Sequence, residues 1–136
     1  MNLKEKKRIT NDLNERFTKA AVVFVTDYKG LDVAAINNLR RKLTEEEVEY
    51  KVAKNSLLIR AAEGTDVDLI KDIFKGPNAV ALSYSDPVSP AKVLTNFAKD
   101  HKVFEIKAGV MDAKGVITAV RSDADNVFIT LTVKGL

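Results

Sequence analysis

Apolar residues at Ile9, Leu13 and Phe17 recur every four positions among charged and polar ones, and this stripe predicts an amphipathic helix from Leu3 to about Lys19. The next stretch, "AAVVFVTDY" from Ala20 to Tyr28, is a valine-rich run of strand length and reads as a strand covered on both faces. It ends in "DYKGL", where Gly30 permits a tight turn and Asp32 is placed to cap a helix from about Val33 to Glu46 with its stripe at Val33, Ile36, Leu39 and Leu43. "VEYKVA" then alternates Val48, Tyr50 and Val52 with Glu49 and Lys51, a strand with one covered face. A helix is predicted from about Ser56 to Glu63, closed by Gly64. "TDVDLIKDIF" predicts a short helix, "KGPNAVALSYSDP" a turn, a strand and a turn, and "PAKVLTNFAKDH" another helix. "VFEIKAGVM" alternates at Phe104, Ile106, Ala108 and Val110.

This order of elements describes an α/β fold: a single layered domain, with a mixed sheet of about four to five strands and helices packed on it. Residues 1–112 carry that pattern, and residues 113–136 depart from it. There "VITAV" is followed by a polar "RSDADN" and by "VFITLTVKGL", in which Val127, Ile129, Leu131 and Val133 alternate with other residues. The pattern fits an added strand and equally a loosely held tail. The chain shows no linker, low-complexity tract or internal repeat.

Composition narrows the chemistry. The 136 residues suit one domain with a core of its own. The absence of cysteine excludes disulfides and thiolate metal sites, and a single histidine, His101, leaves a zinc site out of reach, so no metal is expected. No apolar run approaches the roughly 20 residues of a membrane span, and "MNLKEKKRITNDLNERF" lacks the apolar stretch of a signal peptide, so a soluble, cytoplasmic protein is expected. The net charge of +3 is unevenly spread: Met1 to Ala62 holds 13 Lys/Arg against 9 Asp/Glu, a net of +4, and the rest 9 against 10, a net of −1. An anionic partner is therefore to be sought at the N-terminal half, through a few well-placed residues rather than bulk charge.

The parts of a catalytic site are missing. The six glycines are scattered singly, so no phosphate-binding glycine loop exists, and there is no Gly-x-Ser-x-Gly elbow. His101, between Asp100 and Lys102, reads as an exposed helix-end residue, and Asp66 and Asp68 as negative charge at a helix start. Neither an enzyme nor a cofactor is expected. The strand-to-helix junction of "EYKVAKNSLLIRAAEG" offers more. Lys54 precedes a helix that Asn55 or Ser56 can cap, Lys51 lies on the strand face away from the core, and Arg60 lies further along the helix. Cations, an amide and a helix N-terminus there suit a phosphate; an ordinary capped helix with solvated lysines suits the same residues. Tyr28, Lys29 and Gly30 form a second such turn, and if the two strands are parallel neighbours, both turns emerge at one sheet edge. The "KEKKR" start of the first helix fits either an exposed solvated end or a phosphate contact.

Three stretches in register, Tyr28-Lys-Gly-Leu31, Lys54-Asn-Ser-Leu57 and Gly76-Pro-Asn-Ala79, together with the spacing between them from about Asn2 to Val110, resemble the bacterial large-subunit ribosomal protein ten, the stalk-base protein. The resemblance implies an α/β domain that binds large-subunit ribosomal RNA of the 23S type near the GTPase-associated region, beside ribosomal protein eleven. It also implies a long C-terminal helix that carries dimers of the acidic stalk protein seven/twelve, which recruit translational GTPases, and the capacity to repress its own messenger. Carried onto matching positions, the RNA-facing residues are Lys29, Gly30, Lys51, Lys54, Asn55, Ser56 and Arg60. Many relatives carry a basic residue where this chain has Ile59, which puts one contact in doubt. After about Lys114 the family's leucine-, alanine- and glutamate-rich helix is replaced by "VITAVRSDADNVFITLTVKGL", whose β-branched alternation opposes a long helix. The stalk-dimer platform is therefore not recognisable. The reading is a non-catalytic ribosomal protein of the large subunit. Its rivals are a stalk-less relative acting in ribosome assembly or messenger repression and, more remotely, a small α/β enzyme or ligand-binding domain.

Overall fold

The computed structural model describes residues 1–112, 114–123 and 126–133. Residues 124–125 of the polar link and 134–136 after the last strand, both part of the expected C-terminal pattern, lie outside the described residues.

The elements run α1 (Leu3–Lys19), β1 (Val22–Asp27), α2 (Val33–Glu45), β2 (Glu49–Val52), α3 (Asn55–Ala62), a 3-10 segment (Asp66–Ile73), β3 (Asn78–Ser83), α4 (Val88–Asp100), β4 (Glu105–Met111), β5 (Gly115–Asp123) and β6 (Asn126–Val133). The helices start where local chemistry lets them. Asn2 Oδ1 accepts from the Glu5 N–H at 2.9 Å to cap α1, and Asp32 Oδ1 accepts from the Ala35 N–H at 2.7 Å to cap α2.

The six strands form one sheet in the order β2-β3-β1-β4-β5-β6. Two corrections to the sequence reading follow: the sheet has six strands rather than four to five, and every pairing is antiparallel, so it is not mixed. β1 and β2 do run parallel, but they are not neighbours, because β3 lies antiparallel between them. Strand periodicity tells which face a residue occupies and carries no information on which strand lies beside it.

The sheet is the middle of three layers. α1, α3 and the 3-10 segment cover one face, with Leu13, Phe17, Leu58 and Ile70 packed on Val23, Val25, Val80 and Leu82. α2 and α4 cover the other, with Leu39, Leu43, Leu94 and Phe97 against Val22, Phe24, Ala79 and Ala81. β1 and β3 are consequently buried on both faces. Two positions of the expected stripes are exposed instead: Val33, in the first turn of α2 (74%), and Val52, where edge strand β2 ends (48%). Neither has a layer above it.

The alternation expected through β4 also breaks. Opposite β1, Val25 pairs with Ala108 and Thr26 with Ile106, so Lys107 is an extra, bulged residue. Phe104 and Ile106 therefore join the α2/α4 side, and Ala108 and Val110 the α1/α3 side.

Candidate nucleic-acid interface

Three loops meet at one end of the sheet, and strand register puts them there. Asp27, the end of β1, pairs with Asn78, the start of β3, and Val52, the end of β2, pairs with Ala79. The turn after β1, the junction after β2 and the "KGPN" loop before β3 thus share an edge. The ends of β1 and β2 lie about 10 Å apart across the intervening strand.

The loops are locked to one another by polar groups. Asn78, 2% exposed, donates through Nδ2 to Asn55 Oδ1 at 2.8 Å and to the carbonyls of Lys75 and Gly76 at 3.2 Å. Asn55 Nδ2 donates to the Gly76 carbonyl at 2.8 Å. Lys107 Nζ closes the cluster from below, donating to the carbonyls of Ile73 (2.6 Å) and Lys75 (2.9 Å) and to Asn78 Oδ1 (3.3 Å). The β4 bulge reaches this loop through the Lys107 side chain, an ammonium ringed by three oxygen acceptors. The Tyr28 N–H donates to the Pro77 carbonyl at 3.4 Å and ties in the first turn. Behind the edge, the wholly buried Thr26 hydroxyl donates to the Ala79 carbonyl at 3.1 Å and lies 2.6 Å from the Tyr50 hydroxyl. With the Thr26 proton used on the carbonyl, the phenol is the donor between them. Burial pushes the Tyr50 phenol up to about 12.

On this scaffold the predicted site residues divide. Lys29, Gly30, Lys54 and Ser56 are exposed at the shared edge. The Lys29 N–H donates to Asp27 Oδ1 at 2.8 Å, and Gly30 takes φ +87°. A Cβ at Gly30 would meet Val103 only at ordinary contact distance, so it is the backbone conformation that favours glycine there. Lys54 itself is the N-cap of α3, not Asn55 or Ser56 as the sequence suggested, and no side chain caps that helix. The Leu57 N–H turns back to the Lys54 carbonyl at 3.0 Å, which leaves the Asn55 and Ser56 N–H groups as the first-turn donors available to a ligand. Asn55 is the exception among the predicted contacts, because its amide is committed to the loop lock.

Lys51 and Arg60 stand aside from the edge. Lys51 Nζ lies 3.9 Å from Glu49 Oε2, and its side chain shares a cleft with Arg8 of α1. Arg60 follows Ser56 by one turn on the exposed stripe of α3 and borders a depression with Lys7 and Asn11 of α1. The cations of α1 thus face the same side as α3, a proximity that no local pattern reveals. Ile59 lies on that stripe too, 36% exposed. Among the described residues, no ion pair involves Lys29, Lys54 or Arg60.

Elsewhere the polar groups are structural. His101 stacks on Phe97 with ring centroids 4.0 Å apart and lies against the Phe97 carbonyl through Nδ1 at 3.1 Å. Glu49 accepts from both Arg16 and Tyr84, which joins α1, β2 and the end of β3; Arg16, held first by Asp12 at 2.9 Å, stays firmly protonated. Among the described residues no group of three His, Cys, Asp or Glu is placed to hold a metal ion, and no helix is long and apolar enough to cross a membrane.

A helix-covered antiparallel sheet, with cationic loops cross-tied at one end, defines a domain of the layered α/β class. The chain belongs to the ribosomal protein L10 family, whose sequence model matches residues 1–99. It is 50% identical over 114 residues to the large ribosomal subunit protein uL10 of Desulfatibacillum aliphaticivorans, covering 84% of this chain and 66% of that one. Against uL10 of Pelobacter propionicus the identity is 45% over 127 residues (92% and 73% covered), and against that of Anaeromyxobacter dehalogenans 43% over 121 residues (85% and 70%). The chain thus spans about two thirds of the length of these curated relatives. Family membership makes it a structural protein of the large ribosomal subunit and not an enzyme.

Proposed function

We propose that residues 1–112 form a ribosomal-RNA-binding domain that seats the stalk base on the GTPase-associated region, beside ribosomal protein eleven, and that the shared loop edge makes the primary contact. The observation that carries this reading is the convergence of the three motif loops at one end of the sheet. There Lys29 and Lys54 project into solvent without an ion pair among the described residues, from loops held rigid by Asn78, Asn55 and Lys107. Such an edge binds phosphates in a fixed arrangement and reads RNA by shape rather than base by base. Arg60 and Lys51, with Lys7 and Arg8 beside them, extend the contact along α1 and α3.

The test is titration of a large-subunit rRNA fragment of the GTPase-associated region. Lys54→Ala is expected to weaken binding by about 1–3 kcal/mol, the range for removal of a charge-assisted hydrogen bond. Each phosphate that is no longer neutralised should flatten the log–log salt slope by about 0.7–0.9. Lys114→Ala is the control, because Met111 pairs with Val22 and so places the β4–β5 turn at the opposite end of the sheet. Equal affinities for wild type and Lys54→Ala, with the fold intact, would refute the contact.

Residues 113–136 are assigned no part in that contact. The family's platform for dimers of the acidic stalk protein seven/twelve is helical, whereas residues 115–123 and 126–133 here are strands. The 136-residue chain is therefore proposed not to hold those dimers. Stable co-elution with them would overturn this.

A further inference from the structure

The two edges of the sheet are built differently. β2 has four residues, two of them charged, and Arg16 and Tyr84 are clamped onto its Glu49. Short length, charge and covering side chains are the usual means of keeping an edge from pairing. β6 has eight residues, Asn126–Val133, none of them charged, and among the described residues no side chain is bonded across its outer edge. From Val127 to Val133 it reads "VFITLTV", with neither charge, proline nor glycine. The irregularity in the hairpin falls on β5, between Ile117 and Ala119, and leaves β6 without an extra residue. No described strand pairs with its outer side.

We infer that β6 is a self-association edge, and that two copies of this chain pair β6 with β6 antiparallel about a twofold axis to make one twelve-stranded sheet. The occupant follows from self-complementarity. A twofold centred on Thr130 sets Thr130 against its own copy, Ile129 against Leu131 and Phe128 against Thr132. A twofold contact doubles whatever it meets, so a single charge at its centre repels its copy. β6 brings none. The same operation on β2, centred between Tyr50 and Lys51, would set Glu49 against Val52 and Lys51 against Tyr50, all within four residues already engaged by α1. The face of β6 turned away from the helices is open to solvent: Phe128 is 43% exposed, under the Arg121 guanidinium 4.4 Å from its ring centroid, and Thr130 and Thr132 are exposed. The family's sequence model matches residues 1–99, and β6 lies outside that stretch.

The experiment is sedimentation of the full 136-residue chain over a range of concentrations, without RNA. The wild type should pass from monomer to dimer and stop there. Thr130→Lys and Thr130→Glu each place like charges directly opposite at the axis, and each should raise the dimer dissociation constant by about tenfold or more. The mixture of the two should restore a heterodimer, which mere unfolding of either variant would not do. Wild type that stays monomeric, dimers indifferent to both single variants, a mixture that stays monomeric, or growth into open-ended polymers would each overturn the inference. Affinity for the rRNA fragment should be unchanged in Thr130→Lys, so failure here leaves the loop-edge reading standing, and the reverse.

Discussion

β1 and β6 lie in the same sheet and experience different environments. Every residue of β1 from Val22 to Thr26 is buried, since helices pack on both sides and strands on both edges. β6 has a helix-side face that is only partly buried, at Val127, Ile129 and Leu131, a second face open to solvent, and one free edge among the described residues. Both segments are rich in β-branched residues. Propensity makes each a strand, whereas burial decides how much each contributes to stability.

The sharpest way to break that comparison is truncation on each strand. Phe24→Ala, at a side chain with no exposed surface, should cost about 3–5 kcal/mol in denaturant unfolding. Leu131→Ala, half-buried in the hairpin, should cost well under half of that, because its site already meets water. Equal losses would show the hairpin to be as much a part of the core as β1. The seam between the regions gives the next effect. An added Cβ at Gly109 would lie 2.7 Å from the Val23 carbonyl, so Gly109→Ala must push β4 from β1 and should destabilise by about 2–3 kcal/mol. Hydrogen exchange should rise across the β1–β4 pairing first; unaltered exchange there would mean the seam is looser than the geometry implies.

A smaller effect isolates the buried side alone. The Tyr50 phenol titrates near 12 in the folded chain, against about 10 in an unfolded one. Its raised value means the folded state holds the proton longer, so the associated stability is whole below pH 10 and is lost as pH rises through 12. Tyr50→Phe should cost about 1 kcal/mol at neutral pH, for the hydrogen bond to Thr26, and should lose stability less steeply than wild type between pH 10 and 12. Parallel alkaline curves would place that phenol in water.

The loop edge shows where sequence reading stopped. Lys29, Gly30, Lys54 and Ser56 were legible as two turns, because a strand pattern giving way to a helix pattern is a local signal. Their meeting depended on β3 lying between β1 and β2, a long-range pairing. Asn55 carried the right residue type for either a cap or an RNA contact, and only the fold shows its amide spent on Gly76 and Asn78. Lys107 had no signal at all. It sat inside an apparently regular alternation, and the bulge that turns it toward the loop arises from register with β1.

By itself the sequence determined most of the helices and strands, the Asp32 cap of α2 and the family resemblance, all of which are read from neighbours a few residues apart. The tertiary structure alone decided the strand order, the wholly antiparallel sheet, the exposure of Val33 and Val52, and the gathering of three loops over one buried asparagine. Periodicity of two or of 3.6 states which face of an element is covered. What covers it is fixed by packing between residues far apart in the chain, and that packing sets the cationic edge and leaves β6 open.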